Sequence, residues 1–346
     1  MYAEYKACTV WLSDADLNAA LATMPDATAD ALLARCHHPL VRDLAWLLLA
    51  PDLVDASWPG RPSRDELGLG DPARLTAFFD DLEAAPEALE RRVGDTVNGR
   101  MGLYHERLWQ FLLDRAPGTC LLAHNLRVHR GKLTLGELDL LYRQRDRKTL
   151  IHLEVAIKFY LGLPEGPGDA AAPARWIGPG GADSLASKLA HLRRHQLTLT
   201  DQAETREAIR LELAPHLAHL DAKQPILRRL AMPGVLFQPW RQALPAPRGS
   251  APGHWRGRWV PWGEWRDLRD VLPRTTRAAW LAKPHWLAPP RRHAFTRLRD
   301  LEARLAQHFA GPATPVQVAL ATGDITDRLF VVSDAWPLQI PLPPAP

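Results

Sequence analysis

Cysteine is scarce. The chain has three in 346 residues, Cys8, Cys36 and Cys120, an odd and scattered set. That argues against a disulfide framework and suits a reducing cytoplasm, the expected location. Cys36 stands directly before His37 and His38, and Cys120 precedes His124, but neither group has the second ligand pair of a zinc site. Long apolar runs are also missing. The longest, LAWLLLAPDLV, is too short and too proline-broken to span a bilayer, so no membrane partner is expected. The opening residues, MYAEYKACTVWLSDADL, carry acids early and no basic-then-apolar signal pattern. There is no GK[ST] ending of a P-loop, no G-x-S-x-G elbow, no Cys/His nucleophile signature and no internal repeat.

What is present fits a chain with a real core. It is 46% hydrophobic and 24% charged, and long enough for one elaborated α/β domain or two smaller ones. Its net charge of +4 is small but unevenly spread: Arg228–Arg299 holds fifteen Lys/Arg against three Asp/Glu, and seven of the thirteen tryptophans. Such a segment can pair with phosphates and stack on bases. It can equally be a tryptophan-rich core with arginines on its surface, and Trp255, Trp259, Trp262 and Trp265 favour core packing.

Residues 1–95 read as helical, with DLAWLLLAPDLV and PARLTAFFDDLEAAPEALERRV separated by a Pro/Gly-rich connection at 58–71. A helix over 102–115 ends at APGT, and three strands follow: CLLAHNLRV, LGELDLLYR and TLIHLEVAIKFY. A Gly/Pro/Ala-rich loop over 162–181 leads into the helix ADSLASKLAHLRRHQL, with Leu185, Leu189 and Leu192 on one face. GVLFQPW, WRGRWVPW, PVQVALAT and DRLFVVSDAW read as further strands, and FTRLRDLEARLAQHF as a helix. The expected fold is α/β, a mixed sheet flanked by helices, with an N-terminal helical region and a Trp/Arg-rich C-terminal elaboration.

The informative stretch is GELDLLYRQRDRKTLIHLEVAIKFY, residues 136–160, where strongly apolar strands carry acids. Side chains alternate along a strand, so Glu137 and Asp139 share a face, as do His152, Glu154, Ala156 and Lys158. A two-residue turn at Asp146–Arg147 would set Asp139 opposite Glu154 and Glu137 opposite Ala156. Opposed carboxylates repel, and a divalent cation would compensate. Asp139, Glu154 and the Val155 carbonyl could offer oxygens to Mg²⁺, with Lys158 acting on a bound water or on transition-state charge. From the residues alone, a metal site and a structural ion cluster are both open.

GELDLL followed by HLEVAIKFYLG resembles the PD-(D/E)XK nuclease-like superfamily over about residues 102–199. Most of the chain resembles, within it, a bacterial family of unknown function marked by HLE-x-A-x-KFYLG, WIGPGGADSLASKL and the HQL that follows. The resemblance implies a restriction-endonuclease-like core in which Asp139 is the metal-binding Asp, Glu154 the motif Glu and Lys158 its Lys. The match departs from Glu-x-Lys, because Ala156 occupies the usual lysine position. Glu106 would match an acid that some members supply from the preceding helix, and Glu137 would assist. On this reading residues 1–95 form a helical region, 96–200 the nuclease-like core and 201–346 an α/β extension. The implied activity is phosphodiester hydrolysis of DNA or RNA with Mg²⁺ or Mn²⁺. A catalytically silent nucleic-acid-binding protein and a protein-interaction scaffold are the alternatives.

GPGGADS enters a helix N-terminus but places Asp183 at the cap, where an acid opposes anion binding; a simple loop and cap is the plainer reading. Lys188, His191 and His195 share one side of that helix, a solvated face that could meet a phosphate backbone, and Gln196 turns towards the site. Lys188, His195 and Gln196 are the expected nucleic-acid contacts.

Overall fold

The computed structural model describes residues 27–55, 59–98, 100–221, 224–323 and 325–344. Cys8 and the opening residues therefore lie outside the described part, as does Trp58. In chain order the first elements are helices α1 (Ala27–Arg35), α2 (Pro39–Leu49), α3 (Pro72–Ala84), α4 (Glu87–Val93) and α5 (Met101–Arg115). Strands β1 (Thr119–Arg130), β2 (Leu133–Gln144), β3 (Ile151–Val155), β4 (Lys158–Gly162) and β5 (Trp176–Ile177) follow. Then come α6 (Leu185–His191), α7 (Ala203–Glu212), β6 (Leu227–Ala231), β7 (Gly234–Pro239) and β8 (Trp255–Pro261). The last are α8 (Trp265–Val271), β9 (Arg277–Leu281), β10 (Thr296–Arg297), α9 (Leu298–His308), β11 (Val316–Thr322) and β12 (Ile325–Val332). No helix among the described residues is long and apolar enough to cross a membrane.

The fold is mixed α/β with two mixed sheets flanked by helices. The sheets run β1-β2-β3-β6 and β10-β9-β11-β12-β8-β7-β4-β5. They belong to two compact units that interleave along the chain, residues 29–157 with 188–233 and residues 158–187 with 234–346. The consecutive division at 95 and 200 expected from the sequence does not coincide with these units. The expected third strand is also two strands: β3 joins the four-stranded sheet and β4 the eight-stranded one.

In the four-stranded unit, α3 starts as its sequence dictates. Asp71 caps it by accepting from the Arg74 amide at 2.8 Å, and Pro72 takes the first turn, where its missing N–H costs nothing. PARLTAFFDDLEAAPEALERRV, read as one helical run, is α3 and α4, separated at Ala85–Pro86. α2 is apolar on nearly all sides and accordingly buried; its one buried acid, Asp43, accepts the Tyr104 hydroxyl of α5 at 2.6 Å. α5 buries Leu108, Trp109, Phe111 and Leu112, and α7 lays Ile209 against Val128, Leu138 and Leu141 of β1 and β2.

The turn from α5 into β1 depends on Gly118. A Cβ there would sit 2.3 Å from the Glu66 carbonyl oxygen and 2.6 Å from the Gly68 amide, both backbone atoms that cannot swing aside. Gly118→Ala is therefore expected to destabilise the protein by about 3 kcal/mol, at the upper end of overpacking costs. Urea unfolding checks it: the midpoint should fall with the slope unchanged.

In the eight-stranded unit, α8 and α9 cover one face of the sheet. Trp265, Leu268, Leu301 and Leu305 pack on Val260, Val318, Leu329 and Val331, with Trp240, Trp262 and Trp280 half-buried around them. The tryptophans of the basic segment are thus largely core, and Trp262 is stacked on Phe309 rather than presented to bases.

Candidate active site

The acids of β2 and β3 come together as the alternation requires. The two strands pair Leu140 with Leu153, Leu141 with His152 and Tyr142 with Ile151, and one step further in this register sets Asp139 against Glu154. The turn lies at Arg145–Asp146, one residue earlier than expected, with the Arg147 amide on the Gln144 carbonyl at 3.2 Å. Residues 147–150 lie outside the strands and absorb the difference, so the register at the acids is the expected one.

β3 is an inner strand between β2 and β6, and Glu154 is buried, its side chain 1% exposed. Asp139 Oδ2 accepts the Val155 amide at 3.0 Å, which draws its carboxyl to the end of β3 beside Glu154. Burial pushes the Asp139 carboxyl up to about 7, the hydrogen bond from Val155 opposes this, and the negative field of Glu106 adds to it. Glu154 is raised well above the ordinary carboxylate range, first by burial and then by Asp139. Two neighbouring acids this far from water repel each other when both are ionised, a repulsion that a shared proton or a cation would relieve.

Lys188 supplies part of that counter-charge. Its Nζ lies 3.6 Å from Glu154 Oε1 and donates to Gln196 Oε1 at 2.8 Å, on a side chain only 15% exposed. This corrects the expectation that Lys188 lies on a solvated face, while Gln196 does turn towards the site. A π-helical turn over Leu192–Gln196, closed by the Leu197 amide on the Leu192 carbonyl at 3.0 Å, makes the pairing possible. In a straight α-helix residues eight apart are rotated by about 80°, and absorbing one extra residue reduces that to about 20°. His195 is exposed, its ring 5.3 Å from that of His191.

Lys158 does not continue the face of Glu154, which corrects the sequence reading. The alternation stops at Val155; Lys158 opens β4 in the other sheet and its Nζ donates to Asp183 Oδ2 at 2.7 Å. Asp183 is thus the partner of a lysine rather than a deterrent to an anion.

Asn125 is the site residue that the sequence reading missed. It sits between two paired positions of β1, His124 with Leu140 and Leu126 with Leu138, and so lies opposite Asp139. Its φ of +53° is a left-handed conformation that asparagine tolerates better than most residues. The Nδ2 group donates to Glu106 Oε1 and, at 2.9 Å, to Glu137 Oε1. Gln110 Nε2 donates to Glu106 Oε1 at 3.0 Å and to Asn125 Oδ1 at 3.2 Å. Arg127 Nε meets Glu137 Oε2 at 3.1 Å. The only available signal was an asparagine inside an apolar strand, where its type is disfavoured.

A model of a domain of unknown function, DUF1853, matches residues 42–332. The chain belongs to the DUF1853 family. No curated protein and no solved structure matches it. The DUF1853 region takes in both sheets and every residue of the site, from Glu106 to Gln196.

The donor set of this DUF1853 member sets what it could hold. Neither oxygen of Glu154 has a hydrogen bond of normal length among the described residues, Lys188 Nζ standing back at 3.6 Å, which leaves an acceptor-rich spot beside Asp139. His152 Nε2 stands 4.0 Å from Glu154 Oε2, and burial lowers that imidazole to about 4, so it is neutral and contributes no charge. Among the described residues no group of three His, Cys, Asp or Glu is arranged around a metal position. Two carboxylates with a backbone oxygen such as that of Val155 fit an oxygen-preferring ion that keeps several waters, as Mg²⁺ and Mn²⁺ do, and not zinc.

Proposed function

We propose that the four-stranded unit is a metal-dependent phosphodiesterase centre of the PD-(D/E)XK type, acting on DNA or RNA. One observation carries the reading: the half-buried Asp139 and the buried Glu154 face each other across β2 and β3, Asp139 held by the Val155 amide at 3.0 Å and Lys188 Nζ standing 3.6 Å from Glu154. Asp139 and Glu154 would hold Mg²⁺ or Mn²⁺, which when bound supplies charge neutralisation and a more acidic water. The Val155 amide fixes Asp139 for that task. Lys188, held by Gln196, takes the role that the resemblance gave to Lys158, stabilising negative charge that develops on the phosphoryl oxygens. Glu106 and Glu137, bridged by Asn125, form a second acidic group beside Asp139 that can orient or accept protons from an attacking water.

Mn²⁺ titration calorimetry and cleavage of single- and double-stranded DNA and RNA test this on the purified full chain. Wild type is expected to bind Mn²⁺ and to cleave at least one of these substrates. Asp139→Ala should lose both functions and remain folded. A wild-type protein that neither binds Mn²⁺ nor cleaves would leave the acids as a structural ion cluster. Salt-dependent nucleic-acid binding without cleavage in any divalent ion would point to the catalytically silent alternative.

A further inference from the structure

α4 and α5 of the four-stranded unit border an open groove of about 610 Å³ that the catalytic reading does not use. Its lining includes Arg91, Arg92, Gly94, Asp95, Thr96 and Arg107. Three guanidiniums therefore face one carboxylate. Arg92 is partly spent on Asp114, at 3.3 Å. Arg91 and Arg107 have no carboxylate within ion-pair distance among the described residues; Arg107 donates instead to the neutral Gln110, Nη1 to Oε1 at 2.9 Å. The last turn of a helix favours basic residues, and that alone could account for Arg91 and Arg92 at the end of α4. It does not account for Arg107, which comes from the middle of α5 and lines the same groove.

The position of Arg107 gives the groove a direction. Gln110, which accepts from Arg107, donates in turn to Glu106 Oε1 at 3.0 Å. One amide side chain therefore separates Arg107 from Glu106. A strand whose scissile phosphodiester lay over Asp139 and Glu154 would carry its neighbouring phosphates towards Arg107 and Arg91. The guanidinium fork matches phosphate oxygens and keeps its charge at any physiological pH.

We infer that the Arg91–Arg92–Arg107 groove binds the phosphate backbone of the nucleic acid and positions it for the adjacent carboxylates. The substrate class rests on the phosphodiesterase reading, but the groove is tested by binding alone. Fluorescence anisotropy of labelled DNA oligonucleotides, single-stranded and duplex, would be recorded on the full chain in EDTA over a range of salt concentrations. Arg91→Ala combined with Arg107→Ala should weaken binding at low salt about tenfold or more. It should also reduce the slope of log affinity against log salt by about 2, close to 0.9 per lost phosphate contact. Asp95→Asn removes the one carboxylate of the groove and should tighten binding, a gain that misfolding cannot produce.

Unchanged affinity and slope in the double variant would overturn the groove, as would a wild type that binds no oligonucleotide. Vesicles of anionic phospholipid that bind more tightly than DNA through the same arginines would overturn nucleic acid as the partner. Catalysis reads out separately. Metal-dependent cleavage that survives the double variant unchanged removes the groove and keeps the centre. Arginine-dependent DNA binding, with no cleavage in Mg²⁺ or Mn²⁺, keeps the groove and removes the centre.

Discussion

Lys188→Met should stop hydrolysis while Lys158→Met leaves it near the wild-type rate. Lys188 Nζ is the cation next to Glu154, at 3.6 Å, whereas Lys158 Nζ is committed to Asp183 at 2.7 Å. Removing one preorganised electrostatic contact to developing charge costs on the order of 10²–10³ in rate. The same substitution has a folding consequence, because it leaves Glu154 buried without its neighbouring positive charge. Breaking a buried pair from one side costs roughly 3–5 kcal/mol when the remaining charge stays ionised. Glu154 can escape by holding a proton, so the loss should grow as pH rises from 5 to 8. Urea unfolding at the two pH values, run beside single-turnover cleavage, checks both halves. Loss of cleavage in Lys158→Met with retention in Lys188→Met would return the catalytic role to the lysine at the head of β4.

Asp139→Asn should make the metal-free protein more stable at pH 8 and unable to bind Mn²⁺. In the unfolded chain Asp139 ionises near pH 4, but the folded protein holds its proton up to about 7. Below the unfolded value both states are protonated and the site costs nothing. As pH rises through this window the folded state loses stability relative to the unfolded one, and above about 7 the cost is complete. At about 1.4 kcal/mol per pH unit the burden is a few kcal/mol, and Glu154, also raised by burial, adds to the decline. His105 and His152 pull the other way: burial lowers them to about 3 and about 4, so they favour the folded state as pH rises towards 6.5. The readout is therefore the difference between wild type and Asp139→Asn, followed calorimetrically from pH 5 to pH 8 in EDTA. That difference should grow with pH, and excess Mg²⁺ at pH 8 should narrow it by restoring wild type, by about 2.7 kcal/mol at a hundredfold excess over Kd. A constant difference would mean that the two acids do not share a proton.

Much of this centre is legible in the amino-acid pattern. The alternation in GELDLL and in HLEV fixes which side chains share a face, and only one register places both sets of acids together; the structure has that register. The break after Val155 is not legible. LEVAIKFYL is an uninterrupted strand-forming run with no proline, glycine or turn residue, so nothing local marks that the chain leaves one sheet for another at Ala156–Ile157. The displaced lysine was hidden for the same kind of reason. Its helix was recognised from Leu185, Leu189 and Leu192, but a regular 3.6-residue period does not encode the π turn that rotates Gln196 onto Lys188. Strand β6 and helix α7 were missed because their apolar residues are few and interrupted by charged ones, and tertiary burial rather than local preference defines them.

The interleaving of the two units also bears on inheritance. The reading frame for the four-stranded sheet is interrupted by residues 158–187 and resumes for 188–233, and only then does the larger part of the eight-stranded sheet follow. A gene shortened after Pro233 would keep β4 but lose β7, the strand that pairs along it, leaving the apolar Phe159, Tyr160 and Leu161 on a bare edge. A gene begun after Gly162 would lose the carboxylates altogether. Shuffling of whole modules at their ends, the usual route by which catalytic domains gain and lose companions, is closed to this architecture. The two sheets are expected to be passed on, or lost, together.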